Sequence, residues 1–299
     1  MAAATLTAPS ATSVWWSAVR PATLAASVAP VLIGTAIAVH DGGARRWAGI
    51  GALVVAIAMQ VGVNFANDYS DHVRGADTAR VGPMRASSSG IVAPSRVRAA
   101  AIGAFAVAAI AGVALSLALD WRLLIAGAAC VLAAWLYTGG PRPYGYLGLG
   151  ELFVFVFFGL VATLGTVYVE TGRLTALAAL MACGAGLLAT AILVLNNLRD
   201  IETDRAAGKR TLATRIGRHG TRALLLVLVC AAFAVPIIVF VSGLASVTVM
   251  VMHFGIPIAA VPVRTAFAAT APAQLVGALK RMAAAELAYA LLFALGLLL

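Results

Sequence analysis

The sequence predicts an all-α polytopic membrane protein, a single domain over residues 1–299 with nine transmembrane helices around a central cavity. Three observations predict it. The chain is 62% hydrophobic and only 11% charged, with a mean hydropathy of +0.99. A soluble domain of this length cannot hide that much apolar surface, so the solvent must be lipid. Nine apolar runs each approach the roughly 20 helical residues needed to cross about 30 Å of hydrocarbon. The basic residues between those runs also alternate in density, as they do in membrane proteins of fixed orientation.

Residues 1–13 are small and polar, without the pattern of a cleaved leader, so the N-terminus is expected to be retained. Trp15 and Trp16 suit the headgroup level, as an interfacial anchor. The apolar runs begin near Ala22, Trp47, Arg98, Trp121, Leu149, Leu174, Arg222, Leu244 and Met282. Only Ser242 and Gly243 divide the seventh run from the eighth. Two connections look long and polar: Asn67 to Arg96 after helix two, and Arg199 to Thr221 after helix six. Cys130, Cys183 and Cys230 stand singly inside apolar runs, as buried small residues do, and not in a metal-binding or disulfide pattern.

With the N-terminus inside, 17 of the 21 Lys and Arg residues fall on the cytoplasmic side, leaving Arg45, Arg46, Arg122 and Arg173 outside. The expected placement is therefore a multi-pass protein of the cell inner (plasma) membrane, N-terminus cytoplasmic, with both long polar connections facing the cytoplasm. Much of the +10 net charge is thus topological. It does not indicate a nucleic-acid surface, because no soluble domain carries it.

Six of the eleven acidic residues fall in two short stretches, NFANDYSDHVRGAD from Asn64 to Asp77 and NNLRDIETD from Asn196 to Asp204. Each continues the C-terminal end of a predicted helix, where the macrodipole disfavours negative charge. Something must offset that cost. Carboxylates and amide oxygens at a membrane helix end are what a hard divalent cation such as Mg2+ requires. At about 100° per residue, Asn64, Asp68 and Asp71 share one helical face with Asn67 beside them, and Asn196, Asn197, Asp200 and Asp204 share another. The pattern recurs four helices apart, which suggests a duplication whose halves bring both acidic faces to one cavity.

Cations follow each cluster: Arg74, Arg80 and Arg85 after the first, and Arg205, Lys209 and Arg210 after the second. Acids, metal and bases together suit a diphosphate, because magnesium usually binds through a few carboxylates plus substrate phosphates. Simple anchoring by inside-facing positive charge explains any single one of these cations equally well, although Arg80 and Lys209 lie in the more distinctive settings RVGPMR and GKRT.

The two acidic stretches resemble the aspartate-rich motifs of the UbiA superfamily of intramembrane aromatic prenyltransferases, and the resemblance spans nearly the whole chain. RVGPMR with SSSGIV, PRPYGYLGLGE from Pro141 to Glu151, and NNLRDIETDRAAGKRTLATRIG from Asn196 to Gly217 narrow it to the branch acting in menaquinone synthesis. Two departures stand out. Asp77 follows Asp71 by six residues where the superfamily usually has four, and the common YxxxK of helix four becomes Tyr137 followed by Pro141 and Arg142.

The resemblance implies a nine-helix fold and Mg2+-dependent transfer of a prenyl group from a polyprenyl diphosphate to 1,4-dihydroxy-2-naphthoate or a similar aromatic acceptor. In that branch the attacked ring carbon bears the carboxylate, so carbon dioxide leaves with diphosphate and a demethylmenaquinol forms. The implied metal set is Asp68, Asp71, Asp200 and Asp204 with Asn64 and Asn197. The implied diphosphate contacts are Asn67, Arg74, Arg80, Arg85, Arg142 and Lys209, and Tyr137, Tyr146 and Glu151 are candidates for the acceptor. Phe153, Phe155, Phe157, Phe158 and Tyr168 suit packing better than catalysis. Other acceptors remain open, among them hydroxybenzoate, haem, chlorophyllide or a sugar phosphate. A cation-coupled transporter fits less well, since its acids would cluster near the bilayer midplane.

Overall fold

The computed structural model describes residues 10–75, 85–140 and 143–299. Among these the chain is helical, with eight helices long and apolar enough to cross a membrane and a shorter apolar one, Leu123–Tyr137, between the third and the fourth. The nine lie close to the nine expected runs.

The first span joins α1 (Ala11–Val19) through a 3-10 turn at Pro21–Leu24 to α2 (Ala25–His40). Ser10 caps α1, its hydroxyl accepting the Ser13 N–H at 3.2 Å. Next come α3 (Arg46–Val73), α4 (Pro94–Ala118) and α5 (Leu123–Thr138). A 3-10 turn at Tyr144–Leu147 leads to α6 (Gly150–Val154), which runs through a π-helical stretch, Phe155–Val161, into α7 (Ala162–Thr171). Then follow α8 (Ala176–Ala206) and α9 (Leu212–Val241), the latter interrupted by non-helical backbone at Gly217 (φ 70, ψ 178). The last two spans are the 3-10 segment Val247–Gly255 with α10 (Ile256–Ala268), and α11 (Gln274–Leu298).

Several boundaries differ from the edges of the apolar runs. α3 continues to Val73 and α8 to Ala206, so both acidic stretches lie largely on helix and not in long loops. The connection expected over Arg199–Thr221 shrinks to residues 207–211, and α11 begins eight residues before Met282. Hydropathy marks where lipid contact ends; the backbone pairing of a helix runs on through any residues that tolerate it.

α8 is the most enclosed span, and α3 with α4 and α8 with α9 form the two most extensive helix pairs. These pairs stand in corresponding positions, four helices apart. The main apolar core joins Ile33 and Ile37 of α2, Leu188 and Leu195 of α8, Leu225 of α9, and Tyr289 and Phe293 of α11. α4 instead leaves Ile102, Val107, Ile110 and Leu117 exposed, as a surface in contact with lipid must. The π-helical stretch packs closely on α8: a Cβ on Gly159 would overlap the Gly186 Cα.

Candidate active site

The C-terminal ends of α3 and α8 meet at one end of the bundle. Asp71 is their centre. Its Oδ2 accepts from Arg85 Nη2 at 2.7 Å, and its Oδ1 accepts from the Tyr146 hydroxyl at 2.7 Å and from Lys209 Nζ at 3.0 Å. Lys209 also lies 3.7 Å from Asp204 Oδ1, so one ammonium spans both acidic stretches. Asp200 is gripped by Arg199, whose Nε and Nη2 donate to its two oxygens at 2.6 Å each, while Nη2 also reaches Asn196 Oδ1 at 2.9 Å.

The turn at Tyr144–Leu147 is held against this cluster by the segment after α8. Arg210 N–H donates to the Tyr146 carbonyl at 2.9 Å, and Arg215 Nη2 donates to the Leu147 carbonyl at 2.8 Å. Gly148, at φ 78, lets the chain turn back beside Arg210 and Leu212, where a Cβ would crowd both. Lys209 Nζ sits 4.7 Å from the Tyr146 ring centre and Arg74 Cζ 5.5 Å from it. Burial first, and then the negative charge of Asp71, push the Tyr146 phenol well above its usual range, so it remains a donor.

Two cavities adjoin. A small polar one is lined by Asn67, Asp71, Arg85, Tyr146, Asn197, Asp200, Asp204 and Lys209, among others. A large apolar one of about 1530 Å³ extends between the helices, lined in part by Met59, Gly112, Cys130, Phe153, Phe157 and Leu287. Arg20, Asn67, Tyr137 and Asn196 line both, so they mark the joint between polar and apolar space. From that joint Tyr137 meets Tyr144 edge-on at 5.4 Å, Tyr144 stacks on Phe153 at 3.9 Å, and Phe153 stacks on Phe157 at 5.9 Å.

Not every expected site residue reaches the polar cavity. Asp68 is fully buried, and its carboxylate accepts the backbone N–H groups of Ala86 and Ser87 at 2.8 and 2.9 Å. Asn64 donates to the Val19 carbonyl at 2.8 Å and to Thr23 Oγ1 at 2.9 Å, and accepts from Gln60 at 3.1 Å. Both side chains face structural partners. Glu151 accepts from Asn197 Nδ2 at 2.9 Å, immediately behind the cavity wall, and Arg74 reaches the Gly140 carbonyl at 2.9 Å. Phe155 packs against Gly186, and Tyr168 pairs with Asp120 away from this site. Asp77, Arg80 and Arg142 lie outside the described residues. The acidic-motif reading missed Arg199 and Arg20. Arg199 had a signal, adjacent to Asp200 and three residues after Asn196; Arg20 had none in its spacing.

The donors fit a hard cation. Three carboxylates and three Asn amides around one cavity are oxygen ligands of the kind magnesium takes, although among the described residues no three carboxylate, His or Cys side chains converge closely enough to hold a metal ion by themselves. Such a set would need ligand oxygens to complete an octahedron.

A helical membrane bundle with a charged pocket opening onto a long apolar cavity is the build of an enzyme for an amphiphile with an anionic head. The chain belongs to the UbiA prenyltransferase family, whose model matches residues 27–277. A relative from Mycobacterium tuberculosis named 1,4-dihydroxy-2-naphthoate octaprenyltransferase is 49% identical over 70% of this chain and 72% of its own. One of the same name from Haemophilus influenzae is 35% identical over 95% of both. In fold, a UbiA homologue from Archaeoglobus fulgidus described as bound to GPP and Mg2+ matches with a TM-score of 0.62 at 14% identity, covering 93% of this chain and 99% of that one. The fold and the enzyme class, a prenyltransferase, agree with the sequence expectations.

Proposed function

We propose that this protein transfers a polyprenyl group from a polyprenyl diphosphate to 1,4-dihydroxy-2-naphthoate, releasing diphosphate and carbon dioxide and giving a demethylmenaquinol. The observation that carries the reading is the junction of the polar cavity, which unites both acidic stretches, with an apolar cavity of about 1530 Å³. That volume exceeds the roughly 300–1,000 Å³ of ordinary small-ligand pockets and suits a long chain. The names of the relatives supply the acceptor.

In this reading Asp71, Asp200 and Asp204, with Asn67 and Asn197, hold magnesium, which when bound neutralises charge on the departing diphosphate. Lys209, Arg85 and Arg74 hold the diphosphate oxygens beside the same acids, and Arg80 and Arg142 belong to the same proposal. Tyr146 keeps its proton and fixes Asp71 by donating to it. Asp68 and Asn64 serve by holding the segments that frame the site. The ring ladder from Tyr137 to Phe157 lines the place where allylic positive charge develops and keeps water from it. Glu151, held by Asn197, stands near Tyr137 where the acceptor's hydroxyls would be oriented. The excess of basic residues beside the acidic stretches argues for an active site on the cytoplasmic face of the inner membrane, with the rest of the bundle in contact with lipid.

Purified protein incubated with geranylgeranyl or longer diphosphates and a panel of aromatic acids, with products identified by mass, tests this directly. The expected product is the prenylated naphthalenediol lacking the carboxyl carbon. A product formed only from hydroxybenzoate, or none from any acceptor, overturns the reading.

A further inference from the structure

Arg20 is the one described non-glycine residue with a positive φ, at φ 54 and ψ 69. It also precedes Pro21, a position that steers a residue away from helical backbone. A left-handed conformation disfavours any side chain other than glycine, and such outliers persist where the surroundings over-determine them. Here the surroundings are specific. The Arg20 carbonyl accepts from Thr23 N–H at 2.8 Å and from Thr23 Oγ1 at 2.9 Å. Asn64 of α3 clamps both sides of the turn by donating to the Val19 carbonyl and to Thr23 Oγ1, and Gln60 Nε2 donates to Thr23 Oγ1 at 3.2 Å as well. Three side chains thus maintain a backbone geometry that glycine would adopt without strain. The turn places Arg20 at the joint between the polar and apolar cavities, both of which it lines.

We infer that Arg20 is a substrate-contacting residue whose guanidinium holds the phosphate nearest the prenyl chain, with Gln60, Thr23 and Asn64 as its positioning residues. The inference rests on the proposed function. A prenyl diphosphate must thread the joint with its distal phosphate among the acids and its chain in the apolar cavity, so the carbon–oxygen bond that breaks lies where Arg20, Asn67, Tyr137 and Asn196 meet. When that bond breaks, its electron pair stays on the phosphate oxygen. A cation at the joint stabilises the charge as it develops, whereas cations deeper in the polar cavity face oxygens already charged.

Arg20→Gly separates function from folding, because glycine suits the backbone while removing the cation. Its unfolding midpoint should be unchanged or raised, kcat should fall about 100-fold as on loss of one oxyanion donor, and Arg20→Lys should recover part of the loss. Binding is read separately with a geranylgeranyl thiodiphosphate and Mg2+, with no acceptor present. Failure of the unsubstituted protein to bind it defeats the proposed function itself. Binding by the unsubstituted protein with equal binding and turnover by Arg20→Gly overturns the inference alone. A rise in acceptor KM with unaltered diphosphate binding and kcat also overturns it, by moving Arg20 to the acceptor's carboxylate. A fall in midpoint matching the fall in activity would make the residue structural.

Discussion

Asp68→Asn distinguishes an anchoring carboxylate from a metal ligand, because the substitution keeps shape and removes one acceptor. The two oxygens of Asp68 accept from Ala86 N and Ser87 N at 2.8 and 2.9 Å, in a fully buried setting. Asparagine can accept only one of those N–H groups and turns its own NH2 against the other. One charge-assisted bond is lost, the second is weakened to a neutral one, and a buried donor is orphaned, a cost of about 3 kcal/mol. The loss falls on the segment joining α3 to α4, so amide exchange at Ala86 and Ser87 should quicken about 100-fold, at roughly 1.4 kcal/mol for each factor of ten. Hydrogen exchange with mass-spectrometric readout of peptides covering residues 85–93 measures this in detergent or nanodiscs. Activity should fall as well, since the same segment brings Arg85 to Asp71. Unchanged exchange with abolished magnesium-dependent binding would refute the reasoning and return Asp68 to the metal set.

Asp204→Asn should abolish turnover, since Asp204 lines the polar cavity with Lys209 Nζ 3.7 Å away; full turnover would remove Asp204 from the site. A prenyl diphosphate analogue should bind more tightly with magnesium than with chelator, and magnesium more tightly with the analogue, by the same factor; calorimetry showing equal affinity in both conditions would leave the diphosphate to the cations alone. Tyr146→Phe should lower turnover without changing the shape of the pH–rate profile between about pH 6 and 9. The phenol's raised pKa keeps it protonated there, and the stability linked to that shift is lost only as pH climbs above the unfolded value of about 10. Loss from the variant's profile of an ionisation that the unsubstituted protein shows in that window would mean that Tyr146 titrates there.

The sequence made the helices legible because lipid imposes its demand residue by residue: each span must be apolar over its whole length. It was a poorer guide to where they stop. Asn67 to Val73 and Arg199 to Ala206 are polar and fell within the expected connections, although their acids were placed by helical spacing, and nothing in either stretch breaks a helix. The short α1 was hidden for a related reason. Its Ser10 cap is a local signal, but nine residues carry too little apolar periodicity to stand out before a longer run.

At the site, helical spacing put Asp68 and Asp71 on one face and Asp200 and Asp204 on another, and the four-helix offset suggested that the two faces meet. Sharing a face does not decide what a side chain meets. Asp68 lies one turn from Asn64 and three residues from Asp71, but the chain returning toward α4 covers it with two N–H groups and leaves Asp71 to the cavity. Which carboxylate is covered depends on the path of residues remote in sequence, and no periodicity within α3 records that path. Arg20 shows the complementary case. Its place at the joint depends on a left-handed turn held by Asn64, whose bond to the Val19 carbonyl spans 45 residues, so the same amide that spacing assigned to a metal is the one that sets the cation in place.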